Sequence, residues 1–333
     1  MQRGDRFITK IDAVKREIES RHAKEFNKLY RRIGNDLINI VTNSNFVNFN
    51  TIIANYKPDY IYLFRRIFQD AKESGFGLEI RKQFNFNKRN IIELKSVEVA
   101  KEEQDKVNNK FDVLYTLLLN NKTESMVNDD FLKSEATYFE KIYTNSQSDY
   151  IDYVNDIKKE INDTKNEIFV LTGSLMLSKI QKRKTLQKRL EALETQLKKV
   201  ESESKTETVK IFKSNLENKI SKRSNSNAEY GTGQASSEIR NAEYEAFKQS
   251  GATQTAAAGV VLLVNRIKKV WWERSQFILR ATPRINHLAL SGTESDEQGN
   301  FFVGGYYIPK PRDVILPAEE TARCRCEVEY VVY

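Results

Sequence analysis

Three residues near the C-terminus carry the side chains best suited to metal binding, namely His287, Cys324 and Cys326. Thiolates and imidazole nitrogens are the ligands that zinc prefers. The chain has only two cysteines and two histidines, so a fourth ligand would have to be a carboxylate or water. In the alternative interpretation, His287 hydrogen-bonds a turn and the two cysteines lie on opposite faces of the last strand. The residue types favour this structural role and leave a zinc site open.

The same residues could also form a cysteine–histidine nucleophile pair. No acidic residue is placed to orient His287, and no oxyanion-hole pattern is visible. We therefore expect no catalytic residues and no resident cofactor, with zinc as the one open alternative. The second histidine, His22, falls within an apolar helical stripe without another metal ligand nearby, which predicts a role in helix packing.

Glycine and proline separate the elements that must position these residues. No proline occurs between Pro58 and Pro283, and eight of the 13 glycines lie at Gly231 or later. Because proline and glycine interrupt helices, the first two thirds can form long helices, whereas the last third holds turns and strands. We predict a long, mainly helical N-terminal region with a coiled-coil-like segment, followed by a small α+β domain. The predicted domains are 1–149, 150–222 and 223–333.

Two apolar patterns support the helical region. One stripe at three- and four-residue steps predicts a long amphipathic helix near the N-terminus. It comprises Ile11, Val14, Ile18, His22, Phe26, Leu29, Ile33, Leu37 and Ile40. A heptad seam follows at Leu186, Leu190, Leu193, Leu197 and Val200. The seam is out of register with Ile168, Leu171 and Leu175, which indicates either a helical hairpin or a stutter, and self-association through this segment stays open.

The chain carries more basic than acidic residues. The net charge is +8 with an isoelectric point of about 9.1, which permits non-specific contact with nucleic acid. One basic cluster could face phosphates or an acidic partner, or it could be the solvated face of a coiled coil. Its members are Lys179, Lys182, Arg183, Lys184, Lys188 and Arg189. The small polar segment 221–234 predicts a linker before the last domain.

The chain contains no run of about 18 apolar residues, so we expect no membrane span. The charged first residues do not resemble a secretory signal. Two cysteines one residue apart cannot support a disulfide scaffold, which indicates synthesis in a reducing cytoplasm.

A set of residues between about 235 and 333 resembles the C-terminal module of the Mu F-like minor head proteins of tailed bacteriophages. The matching order is a helix, a tryptophan, an arginine shortly before a histidine, a small-residue run ending in glycine, and a Cys-Arg-Cys triplet. The residues that carry it are Glu238, Ala242, Trp272, Arg284, His287, Gly292, Cys324, Arg325 and Cys326. Two positions depart from the family pattern: Arg280 stands where an aspartate is common, and Arg323 where an asparagine is common. These departures weaken any catalytic or metal role that needs the acid.

The resemblance implies a structural protein located inside the virion head and made in the host cytoplasm. It implies contact with the portal protein and inner capsid proteins, and a role in head morphogenesis and in handling packaged DNA. A different class of function is an enzyme or effector delivered with the genome and acting through the Cys/His module. A third is a free-standing coiled-coil protein that binds DNA through the 150–222 segment.

Overall fold

The computed structural model describes residues 3–44, 47–74, 94–173, 176–251, 253–256, 259–262, 267–272, 287, 289–313, 315–316 and 326–332. Within these ranges, seven helices precede the first strand. They are α1 (Arg3–Asn43), α2 (Phe49–Ala54), α3 (Lys57–Glu73), α4 (Leu94–Met126), α5 (Asp129–Val170), α6 (Leu177–Ser202) and α7 (Ser204–Ser250). None of these helices is long and apolar enough to cross a membrane.

Six short strands follow within the described part of the chain, and all of them pair antiparallel. They are β1 (Thr253–Ala256), β2 (Gly259–Leu262), β3 (Ile267–Trp272), β4 (Phe301–Val303), β5 (Tyr306–Ile308) and β6 (Glu327–Val332). β1 pairs with β2, β4 with β5, and β3 with β6 in a register that sets Trp271 opposite Val328. The predicted fold class, a long helical region followed by a small α+β region, is therefore confirmed.

The chain forms two compact units that are each discontinuous in sequence. The first unit comprises Met1–Phe26, Pro58–Asn128 and Ser224–Tyr333, and the second comprises Asn27–Lys57 and Asp129–Arg223. Each unit therefore combines segments that lie far apart in the chain. The three consecutive domains expected from the sequence, 1–149, 150–222 and 223–333, stay a prediction.

In the first unit, the apolar stripe of α1 packs against α3. The Phe26 ring lies 5.4 Å from the Phe64 ring, and both side chains are fully buried. His22 belongs to the same face, and its Nε2 lies 2.9 Å from Asp70 Oδ2 on α3. Burial lowers the pKa of His22, although the Asp70 carboxylate acts in the opposite direction. His22 is thus a helix-packing residue, as the apolar stripe predicts.

The second unit contains an antiparallel hairpin of α5 and α6, which decides between the two alternatives for the register shift. α5 ends at Val170, residues 171–173 form a turn, and α6 begins at Leu177. Val154, Ile157 and Ile161 of α5 pack against the α6 seam. Interhelical ion pairs flank this apolar core: Lys158–Glu201, Lys165–Glu194, Glu160–Arg189 and Glu167–Lys182. The architecture is coiled-coil-like, and both helices of the coil, α5 and α6, belong to the same chain.

The segment 221–234 is not a linker but part of α7, so that expectation is wrong. Residues 231–240 are all buried, which means that this stretch of helix is enclosed on every side within the first unit. A Cβ atom on Gly231 would lie 2.7 Å from Ile67 Cδ1 and 2.9 Å from the Phe64 ring. Small residues are required here because α3 approaches the α7 backbone closely. From Gly231 onward, the small residues of this segment therefore reflect tight packing within a helix and not a loop.

Candidate functional site

The centre of the C-terminal region is a buried carboxylate, Glu327, at the start of β6. Its oxygens accept hydrogen bonds from Lys15 of α1, from Arg240 of α7 and, at 2.9 Å, from Arg312. Ser236 Oγ lies 3.4 Å from Oε2. All four charged side chains are at most 5% exposed. We call Lys15, Arg240, Arg312 and Glu327 the Glu327 cluster.

Backbone carbonyls accept further hydrogen bonds from the two guanidinium groups of the cluster. Arg240 donates to the carbonyl oxygens of Ser236 and Val328, at 3.2 and 2.5 Å. Arg312 donates to those of Gly233 and Cys326, at 2.9 and 3.1 Å. Charge-assisted bonds of this kind are stronger than neutral ones and are needed wherever a charge is buried. The cluster therefore ties β6 to α1, α7 and the segment around Arg312.

Arg312 and Lys15 show the constraints that the cluster imposes. Arg312 has a φ of 61°, a left-handed conformation that non-glycine residues rarely adopt. Burial lowers the pKa of Lys15, and the Glu327 carboxylate only partly offsets that effect. The left-handed backbone of Arg312 and the buried ammonium group of Lys15 each cost free energy, and the surrounding contacts hold both residues in place.

Glu238, a residue of the family resemblance, forms a second buried ion group. Its Oε1 lies 2.8 Å from Lys122 Nζ and its Oε2 lies 2.9 Å from Lys310 Nζ. Burial by itself would raise the pKa of Glu238, but the two ammonium groups outweigh it and lower that pKa. Glu238 thus joins α7 to α4 and to the segment after β5.

His287 and Cys326 lie together, as the metal hypothesis requires. The distance between His287 Nδ1 and Cys326 Sγ is 3.3 Å, and the two side chains are 1% and 0% exposed. The Trp271 indole packs edge-on against the imidazole at 5.8 Å between ring centroids, and the Phe301 ring centroid lies 5.2 Å from that of Trp271. The pair is therefore buried, with the Trp271 indole against the imidazole.

This arrangement suits a buried thiol–imidazole contact better than nucleophilic catalysis, because a nucleophile must reach its substrate. Cys324, the third residue of the zinc hypothesis, lies outside the described residues. Among the described residues, no group of three or more His, Cys, Asp or Glu side chains could hold a metal ion. The zinc site stays a prediction that depends on Cys324.

The remaining residues of the resemblance have structural surroundings where they are described. Trp272 Nε1 donates to Glu329 Oε2 at 3.0 Å across the β3–β6 pair. Gly292 has a φ of 85°, and its N–H donates to the Trp271 carbonyl at 2.7 Å. Ala242 is buried on α7. Arg284 and Arg325 lie outside the described residues.

A lysine with an unusual environment lies beside these residues on β3. Lys269 Nζ donates to the carbonyl oxygens of Gly299 and Pro309 at 3.1 and 3.2 Å. It also lies 4.5 Å from the centre of the Tyr244 ring, a cation–π contact. Burial lowers the pKa of Lys269 to about 8. Lys269 thus links β3 to α7 and to both ends of the β4–β5 hairpin.

Sequence reasoning found Glu238, His287 and Cys326 but missed the Glu327 cluster. Lys15 and Glu327 are 312 positions apart, and no local spacing connects them. Arg240 is one of many charged residues in a helical pattern, and nothing distinguishes it from a solvent-exposed arginine. No signal in one sequence could have paired these residues.

Comparisons of the chain with protein-family models, with curated proteins and with solved structures found no match.

Proposed function

We propose that this chain is a structural minor head protein of a tailed bacteriophage, located inside the head and associated with the portal. The proposal includes contact with inner capsid proteins and a role in head morphogenesis and in handling packaged DNA. It starts from the resemblance carried by Glu238, His287 and the Cys-Arg-Cys triplet. The same proposal describes the protein as non-enzymatic.

The observation that carries the proposal is the role of the motif residues in packing. Glu238 forms ion pairs with two lysines, and His287 contacts Cys326 and Trp271. Trp272 donates a hydrogen bond to Glu329. A motif whose residues all make contacts inside the protein stabilises a fold. A catalytic motif, in contrast, leaves at least one reactive group accessible to substrate. A structural virion component fits such a motif.

The virion-delivered enzyme is supported by one observation, the 3.3 Å distance between Cys326 and His287. Their burial argues against it. Replacing both Cys324 and Cys326 by Ser distinguishes the two functions, because a structural site tolerates serine far better than a catalytic thiol does. Unchanged infectivity with unchanged particle yield would eliminate the enzyme.

The direct test is to purify phage particles from the induced host that carries the gene and to quantify this chain by mass spectrometry. DNA-filled heads, empty heads and portal rings separated on a gradient should each contain it in a constant ratio to the portal protein. A chain that stays in the unsedimented lysate, with no enrichment in heads, would contradict the proposal. Deletion of the gene should lower the yield of infectious heads.

A further inference from the structure

The turn of the α5–α6 hairpin exposes apolar side chains that the rest of the second unit does not use. Phe169 and Val170 end α5, and Met176 and Leu177 begin α6. Phe169, Val170 and Leu177 are each 79% exposed, and Met176 is 61% exposed. The first three are the most exposed large apolar side chains among the described residues. We call these four residues the hairpin tip.

The same end of the hairpin is strongly basic. No Asp or Glu occurs between Ile168 and Leu190, whereas this interval contains six lysines and arginines. Lys182 and Arg189 are paired with Glu167 and Glu160 of α5. Within the described residues, the other four make no ion pair with an acidic side chain. These four, the basic collar, are Lys179, Arg183, Lys184 and Lys188.

The collar lies directly behind the tip along α6. At about 1.5 Å per residue, Lys179 follows Leu177 by about 3 Å and Lys184 by about 10 Å. Apolar groups that enter the interface of a bilayer reach about 5–10 Å below the headgroups. A tip inserted to that depth along the hairpin axis would place Arg183 and Lys184, the middle of the collar, at the level of the lipid phosphates.

We propose that the hairpin tip and the basic collar together form a peripheral docking site for a bilayer that contains anionic phospholipids. Weak apolar insertion and electrostatic attraction to anionic headgroups are the two contributions that together give stable membrane attachment. The site lies on the surface of a bilayer and does not span it. The inference does not depend on the proposed function.

Other occupants fit the surface less well. Nucleic acid would satisfy the collar but would leave the four apolar side chains in water. A second copy meeting the same tip would bring two basic collars together, and four side chains per copy bury far less than the about 1,200 Å² of a stable interface. Of these three occupants, the anionic bilayer alone offers both negative charge to the collar and an apolar interior to the tip.

The test is co-sedimentation of the full chain with vesicles of phosphatidylcholine, either alone or with about one third phosphatidylglycerol. We expect binding to the anionic vesicles, at least tenfold weaker binding to the neutral ones, and release as salt rises from about 0.1 to about 0.5 M. Absence of binding, or equal binding to both vesicle types, would overturn the proposal.

Two variants separate the contributions. Phe169→Ser with Leu177→Ser should weaken binding by at least about tenfold, because both apolar groups lose their insertion while the charge of the tip stays the same. Lys179→Gln with Lys184→Gln should weaken it by about fivefold per cation. Sensitivity to the lysine variant alone would assign the collar to a soluble polyanion such as DNA and refute membrane docking.

Matched controls come from the same helix, α5. Ile151→Ser changes an apolar side chain that is 56% exposed and about 27 Å from Phe169 along the helix. Lys133→Gln with Lys141→Gln removes two exposed charges away from the tip. Both controls should bind anionic vesicles like the parent chain, and a loss equal to that of the tip variants would refute the location.

A gain-of-signal measurement guards against misfolded variants. The conservative change Phe169→Trp places a fluorophore at the tip, and its emission should shift to shorter wavelength when anionic vesicles are added. The parent chain, with Trp271 and Trp272 alone, serves as the reference. An unchanged emission spectrum would show that the tip stays in water and would overturn the proposal.

Discussion

Replacing Glu327 by Gln tests the buried ion cluster most directly. The amide keeps the shape of the side chain but removes the only negative charge that Lys15, Arg240 and Arg312 share in the cluster. The arginines cannot lose their protons, so two cations would remain in a site that water does not reach. The change therefore leaves the packing almost intact and isolates the electrostatic contribution.

Its magnitude follows from burial and from the number of partners. Removing one member of a buried ion pair costs about 3–5 kcal/mol, because the remaining charge stays desolvated. Glu327 is 0% exposed and serves three cations, so we expect a loss in that range in the free energy of unfolding of the first unit. Lys15→Met is the matched control. It removes a cation whose pKa burial already lowers, and it should cost less than about 1.5 kcal/mol.

Urea unfolding followed by tryptophan fluorescence measures this loss of stability close to the Glu327 cluster. The chain has two tryptophans, and both lie on β3 opposite β6, the strand that begins with Glu327. The fluorescence midpoint should fall strongly for Glu327→Gln and little for Lys15→Met, with similar slopes. The reasoning would be refuted if Glu327→Gln cost less than about 1 kcal/mol, or if both variants shifted the midpoint equally.

Three further predictions follow from the packing. Gly231→Ala should lower the midpoint of thermal unfolding in calorimetry, because its Cβ would lie 2.9 Å from the Phe64 ring. As a control, Gly34→Ala, whose Cβ would lie 3.5 Å from its nearest neighbour, should raise the free energy of unfolding by up to about 1 kcal/mol. A stabilised Gly231→Ala would contradict the close approach of α3. Because the pKa of Lys269 is lowered to about 8, the unfolded state binds more protons above that pH. The parent chain should therefore gain stability over Lys269→Met between about pH 8 and 10, by at most about 1.4 kcal/mol per pH unit, and parallel pH profiles in urea titrations would contradict this. In a Cys324→Ser background, the buried thiol of Cys326 should react with a disulfide reagent only after unfolding in urea, and rapid reaction in the native state would revive the enzyme hypothesis.

Local periodicity was sufficient for the helical part of this protein. The stripe of α1 and the seam of α6 were predicted correctly because a helix repeats every 3.6 residues whatever surrounds it. The register shift after Gly173 was also visible, although two explanations remained. The turn at 171–173 and the ion pairs between α5 and α6 decide for the hairpin.

The segment around Gly231 shows where local reasoning fails. Small polar residues usually mark loops because they pack poorly on a core and leave the backbone free. In this chain they mark a helix enclosed on all sides, where a larger side chain would collide with α3. Composition cannot distinguish the two cases, because the difference lies in what approaches from elsewhere in the chain.

By itself, the amino-acid sequence determined the division into a helical region and a strand-containing region, the amphipathic faces, and the pairing candidates His287 and Cys326. The tertiary structure alone decided which charges are buried together, because Lys15, Arg240, Arg312 and Glu327 come from four separate segments. A charge in a sequence has no partner until the chain folds. Burial then makes that partner obligatory, since the free-energy cost of an unpaired charge away from water is comparable with the whole net stability of a folded protein.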